Sequence, residues 1–172
     1  MKIYLRELQK EDMVSVHQST LDADIRYLTG TTRHFTLEQL YNHFHRIKDD
    51  DTRHDFAICL STDEQIIGDL AIIDIEKAHQ NAGFRIALHK TEYFGKGFGT
   101  QAVKLALQYA FETLKLNRLQ LEVYSHNPRA IQTYQKVGFT QEGVLRQAIY
   151  YDGEYYDEIV MGMLKEEYDS LK

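Results

Sequence analysis

The sequence predicts a mixed α/β fold, with one largely antiparallel sheet and a single crossover. Three observations carry this. Helical periodicity occurs early, then gives way to a block of strands joined by short polar turns. Only one stretch, Ala82 to Tyr124, has the length and pattern of a strand–loop–helix–strand crossover, which parallel pairing requires. The chain ends on a hairpin signal, Asp152-Gly153 between apolar runs. A doubly wound parallel sheet is not expected, because the strands before and after the crossover stretch can pair antiparallel through short turns.

The elements follow in order. Lys2–Glu7 alternates as a first strand. Met13, Val14, Val16 and Leu21 predict a helix. Thr36 and Gln39 have capping-box spacing, and Leu37, Leu40, Tyr41, Phe44 and Ile47 continue at helical intervals. Asp49-Asp50-Asp51-Thr52 reads as a solvated loop. Phe56–Leu60, Ile66–Ile75 and Ala82–Leu88 are strands. Gly95, Gly97 and Gly99 then lead into a helix with Ala102, Val103, Ala106, Leu107, Ala110, Phe111 and Leu114 on its apolar face. Leu119, Leu121 and Val123 form the next strand. Asn127 caps a short helix, Pro128 occupies its first turn and Gly138 ends it. Ile149–Tyr151 and Tyr155–Met163 make the closing hairpin, an aromatic surface for an acceptor or a second subunit, or plain strand surface.

The 172 residues fit one domain, with 20 Lys and Arg against 26 Asp and Glu, a formal charge of −6. That balance argues against bulk nucleic-acid binding, which needs a basic patch. No apolar stretch approaches the ~20 residues of a membrane span, and the start lacks a signal-peptide core. A cytoplasmic protein is expected. Cys59 is the sole cysteine and lies in an apolar run, where it reads as a small buried hydrophobe. The 8 histidines include no H-x-x-x-H or H-E-x-x-H spacing, so no metal site is expected.

The glycine loop carries the most chemistry. Alternating glycines let the backbone approach a ligand, and the first-turn N–H groups of the next helix point out of the loop, a site for a pyrophosphate. Lys96 adds charge at the rim. The spacing matches neither G-x-x-x-x-G-K-[ST] nor G-x-G-x-x-G. The plainer readings are a chain-reversing turn for the loop and a packing residue for Tyr134.

Phe94-Gly-Lys-Gly-Phe-Gly-Thr100, followed about thirty residues later by Asn127-Pro-Arg-Ala-Ile-Gln-Thr-Tyr-Gln-Lys-Val-Gly-Phe139, resembles the GCN5-related N-acetyltransferase superfamily. The element order fits along nearly the whole chain. Gly143–Arg146 and the Tyr151–Asp157 hairpin resemble the bacterial branch of ribosomal-protein and spermidine acetyltransferases. The resemblance implies an acyl-CoA N-acyltransferase fold with a cofactor cleft where two strands splay apart. It also implies acetyl-CoA as co-substrate, an amine acceptor attacking directly in a ternary complex, and a homodimer. The backbone of Ile86, Ala87 and Leu88 then meets the thioester and pantetheine. Gly95, Lys96, Gly97, Phe98, Gly99 and Thr100 cradle the pyrophosphate, Asn127 matches the family asparagine near the pantetheine arm, and Ala130, Tyr134 and Lys136 line the far wall. Phe94 departs from the Gln or Arg that usually opens the loop. Tyr134 holds the family position of the acid for the leaving thiolate.

The resemblance leaves the base open. The family glutamate falls at Gly83, and Asp74, His79, Glu122 and Asp157 are its possible replacements. Asp74 is favoured because it ends a strand expected to border the acceptor cleft. The segment Leu28–Phe35 lacks the acidic patch of spermidine acetyltransferases. With Gly83, this weighs against polyamines and leaves a peptide or protein N-terminus, or another small amine. The rivals are a polyamine acetyltransferase, a non-catalytic acetyl-CoA sensor and a nucleotide-binding module.

Overall fold

A computed structural model describes residues 1–172. Seven strands form one sheet in the order β1-β2-β3-β4-β5-β7-β6. These are β1 (Ile3–Glu7), β2 (His54–Leu60), β3 (Ile66–Glu76), β4 (Asn81–Leu88), β5 (Arg118–Tyr124), β6 (Thr140–Tyr151) and β7 (Glu154–Leu164). Only β4 and β5 pair in parallel; every other neighbour is antiparallel.

The single crossover runs through α4 (Phe98–Gln108), whose last turns widen into a π-helical segment, Tyr109–Thr113. Alternation along the strands gives the sheet two faces. On one, Ile58, Leu70, Ile72, Phe84, Leu119, Leu121 and Met161 pack with Ala102, Val103, Ala106 and Phe111 of the crossover into the main core. The other face carries α1 (Met13–Ser19), α2 (Ala23–Thr29) and α3 (Leu37–Ile47). Cys59 is fully buried. No helix is long and apolar enough to cross a membrane.

The helix expected around Met13–Leu21 is interrupted after Ser19. Asp22 then caps a separate α2 by accepting from the backbone N–H groups of Asp24 and Ile25. Cap chemistry therefore outweighs the apolar periodicity across the break. The capping box at Thr36 and Gln39 forms, as do the Asn127 cap and the Gly138 stop of α5 (Pro128–Val137). Asp152 and Gly153 both have positive φ, 49° and 83°, as a two-residue hairpin turn needs. β6 is much longer than the three residues expected, because a bulge between Leu145 and Ile149 breaks its alternation while the pairing continues. A terminal helix, α6 (Lys165–Ser170), stacks Tyr168 on Phe111.

Gly30 ends α2 with φ +66°, and a Cβ there would lie 2.5 Å from Ile149 Cδ1 and 2.7 Å from Tyr124 Cε2. Gly30→Ala should therefore destabilise the fold by about 1–2 kcal/mol from the left-handed conformation alone, with the steric clash added. A denaturant titration should show a lower midpoint with an unchanged slope.

Candidate active site

The parallel pairing of β4 with β5 lasts three residues, Asn81–Gly83 against Arg118–Gln120. Beyond it the strands part. Phe84–Leu88 of β4 stay paired with β3, but the backbone groups turned toward β5 are left to the gap. Buried backbone polar groups need partners, so this edge is a ready set of donors and acceptors for a bound ligand.

A cavity of about 410 Å³ opens on one side of the gap. Its walls include Ile86, Ala87 and Leu88 from β4, Gly95, Gly97, Phe98, Gly99 and Thr100 from the loop and α4, and Asn127, Ala130, Tyr134 and Lys136 from α5 and its cap. The structure brings together all the expected cofactor-site residues except Lys96, whose exposed side chain is not on the wall. Phe98 reaches the cavity while its side chain stays in the core, 2% exposed. A Cβ built on Gly95, Gly97 or Gly99 would meet nothing within 4 Å, so the space above the loop is open. Gly95 and Gly97 have φ +71° and +79°, and Gly97 precedes the first turn of α4. The loop and helix start fit a pyrophosphate through free N–H groups. Asn127 Oδ1 accepts from Ala130 N at 3.2 Å, so its cap role leaves the side-chain amide donors for a ligand.

Sequence reasoning missed Arg129. Its guanidinium stands 4.3 Å from the Phe94 ring centroid, and both residues line the cavity. The aromatic residue that departs from the family's loop thus holds a cation at the mouth.

A second cavity, about 500 Å³, lies toward the face that carries α1 and α2. It shares Ile25, Leu28, Thr29, Ile86, Ala87, Asn127, Ala130 and Tyr134 with the first. The shared walls join the two into one cleft at the splayed strands. Tyr134 stands on both walls. It is 8% exposed, and burial pushes its phenol well above the usual range, so it stays protonated.

The second cavity also carries Asp69, Glu122 and Glu158, with Arg26 and Arg85. Burial raises the Glu158 carboxyl above its usual range, and the nearby Glu122 charge adds to the rise. A carboxylate raised in this way is a better base than a free one. Glu122 also accepts a hydrogen bond from Gln120 Nε2 at 2.8 Å.

Asp74 does not line this cleft, although its neighbour Ile73 does. It has φ +51° at the irregular end of β3, where the register slips between Ile73 and Glu76. Ala87 lies opposite Asp69, five residues away along the strand and about 17 Å at strand spacing. His79 is exposed beside Glu76, and Asp157 holds the Gln147 backbone N–H at 2.8 Å. Gly83 ends the parallel pairing, and a Cβ there would already touch Ile73 Cγ1 at 3.2 Å. Glu158 went unseen in the sequence because only the β5–β7 register, which sets it opposite Tyr124, carries it to the cleft.

Residues 2–140 match the family model described as an acetyltransferase (GNAT) domain. The spermidine N(1)-acetyltransferase of Escherichia coli K12 is 32% identical over 171 residues, covering 96% of this chain and 88% of that protein. A putative ribosomal N-acetyltransferase of Bacillus subtilis is 30% identical over 112 residues, covering 64% of this chain and 60% of that one. A crystal structure of spermidine N-acetyltransferase from Vibrio cholerae in complex with CoA and spermine superposes with a TM-score of 0.90 at 27% identity, covering 96% of this chain and 97% of that one.

Proposed function

This chain belongs to the GNAT acetyltransferase family, and we propose from that premise that its cleft acetylates a cationic primary amine by direct attack in a ternary complex. The chain is an acetyl-CoA-dependent N-acetyltransferase. The observation that carries the mechanistic reading is the continuity of the two cavities past Ile86, Ala87 and Tyr134.

On this reading, acetyl-CoA occupies the glycine-loop side and supplies an activated acetyl thioester. The N–H groups of the loop and of the first turn of α4 hold its phosphates, with Lys136 and Arg129 countering their charge. The unpaired edge of β4 orients the thioester arm and offers N–H donors to the carbonyl oxygen under attack. The acceptor enters from the other side, where Glu158 takes a proton from its ammonium group. Tyr134 donates a hydrogen bond to the leaving sulfur. No nucleophilic side chain is needed.

The carboxylates in the second cavity favour a cationic acceptor. Relatives named for spermidine make a polyamine the first candidate, and the Leu28–Phe35 segment without a carboxylate keeps peptide N-termini in the comparison. We also propose the cytoplasm, where acetyl-CoA is supplied, and a homodimer, which sedimentation would test.

A thiol-release assay with acetyl-CoA against spermidine, a peptide with N-terminal Ser or Ala, and an aminoglycoside tests the function. Amine-dependent release is expected; no release with any amine would overturn it. Calorimetry should detect CoA binding without ATP or NAD binding. Arg129→Ala should weaken CoA binding about tenfold, the loss of one charge-assisted contact. The difference should shrink as salt rises.

A further inference from the structure

Three polar side chains left without a role above form a connected row. The ring of His89, 3% exposed, places Nε2 2.7 Å from Asp69 Oδ1 and Nδ1 2.7 Å from Ser15 Oγ on α1. Asp69 pairs in register with Ala87, so the two side chains lie side by side on one face of the sheet, and both line the acceptor cavity. His89 occupies Oδ1 and leaves Oδ2 for a ligand. The Asp69 side chain is only 18% exposed. A carboxylate this enclosed is costly unless its oxygens are satisfied, and an amine acceptor in this cavity, as proposed above, would supply the N–H donor.

We propose that Asp69 is a further catalytic residue, whose Oδ2 accepts a hydrogen bond from the attacking amine and stabilises the positive charge that grows on that nitrogen. His89 and Ser15 are positioning residues. The inference rests on the acetyltransferase reading. As the N–C bond forms, the C–S bond breaks and its electron pair leaves on sulfur. The first ammonium proton goes to Glu158, and the second, released as the amide forms, ends on the sulfur. Asp69 exchanges no proton.

The charged and titratable groups turned toward Asp69 suit this task. Burial pushes its carboxyl up, but the hydrogen bond and charge of His89, with Arg85 from β4 and His43 from α3, outweigh that and hold it below the usual range. Glu122 and Glu158 line the same cavity. Asp69 therefore stays ionised across the neutral range. It is a poor proton acceptor there and a steady electrostatic partner, fixed before the reaction begins.

The test is kcat against pH, using the amine the wild-type enzyme acetylates best. Asp69→Asn should lower kcat about tenfold or more at every pH, leave the acid limb in place and leave CoA affinity by calorimetry unchanged. His89→Gln, which can still donate to Oδ1, should keep most activity. His89→Leu should fall as far as Asp69→Asn, and this pair also decides the matter if Asp69→Asn does not fold. Unchanged kcat in Asp69→Asn would overturn the proposal, as would a moved acid limb or a parallel loss of CoA binding. A wild-type enzyme that releases no thiol with any amine would overturn the acetyltransferase reading itself; an active wild-type enzyme matched by Asp69→Asn would overturn this proposal alone.

Discussion

Tyr134→Phe is expected to lower turnover by roughly ten- to a hundredfold while CoA affinity stays nearly intact. The size follows from what the phenol can give. A thiol has a reference pKa of about 8.5 and a free phenol about 10. Burial pushes the Tyr134 phenol higher still, so complete transfer to the departing sulfur is uphill. The phenol contributes a hydrogen bond to a developing negative charge. Such bonds are worth about 1.5–3 kcal/mol, and each 1.4 kcal/mol is about tenfold in rate. The ring remains in the phenylalanine variant, so its packing against Phe139, 5.9 Å between centroids, is kept. Turnover and calorimetric affinity measured on one preparation test this. Because the phenol stays protonated through mildly alkaline pH, the alkaline limb of the wild-type profile should not move in the variant. Unchanged turnover would remove Tyr134 from the chemistry.

Glu158→Gln should cost about a hundredfold at neutral pH, the ordinary worth of a positioned general base. An amine with a pKa near 10.4 is only about 0.04% free base at pH 7, so proton removal matters. Glu158 must be ionised to act. Since its pKa lies above the usual carboxylate range, activity should fall as pH drops through that raised value, an acid limb at higher pH than a free carboxylate would give. Glu158→Gln should flatten the limb. Glu122→Gln, by removing a neighbouring negative charge, should move it to lower pH. The full pH–rate profiles separate the two, and an unaltered limb in Glu158→Gln would dismiss it as the base.

The parts of the site that could be read from sequence are those made within short segments. The glycine loop, the Asn127 cap with Pro128, the Gly138 stop and the Asp152–Gly153 turn are each set by the conformational needs of a few adjacent residues. The parts that escaped depend on register between distant strands. Asp69 and His89 are 20 residues apart and meet because β3 and β4 pair. Glu158 reaches the cleft because β7, not β6, lies beside β5. Asp74 misled for a related reason: β3 lines the cleft at Asp69 and Ile73, but the register slip just after Ile73 leaves Asp74 off its wall. Only that offset in pairing, absent from any local pattern, sets the two neighbours apart. One hint was available, an aspartate set between Ile67, Gly68 and Leu70 in the apolar first half of β3.

The gap between β4 and β5 perforates the sheet, so its two approaches are separate doors. If the proposed placement holds, neither reactant has to queue behind the other, and the spent carrier and the acetylated product have separate exits.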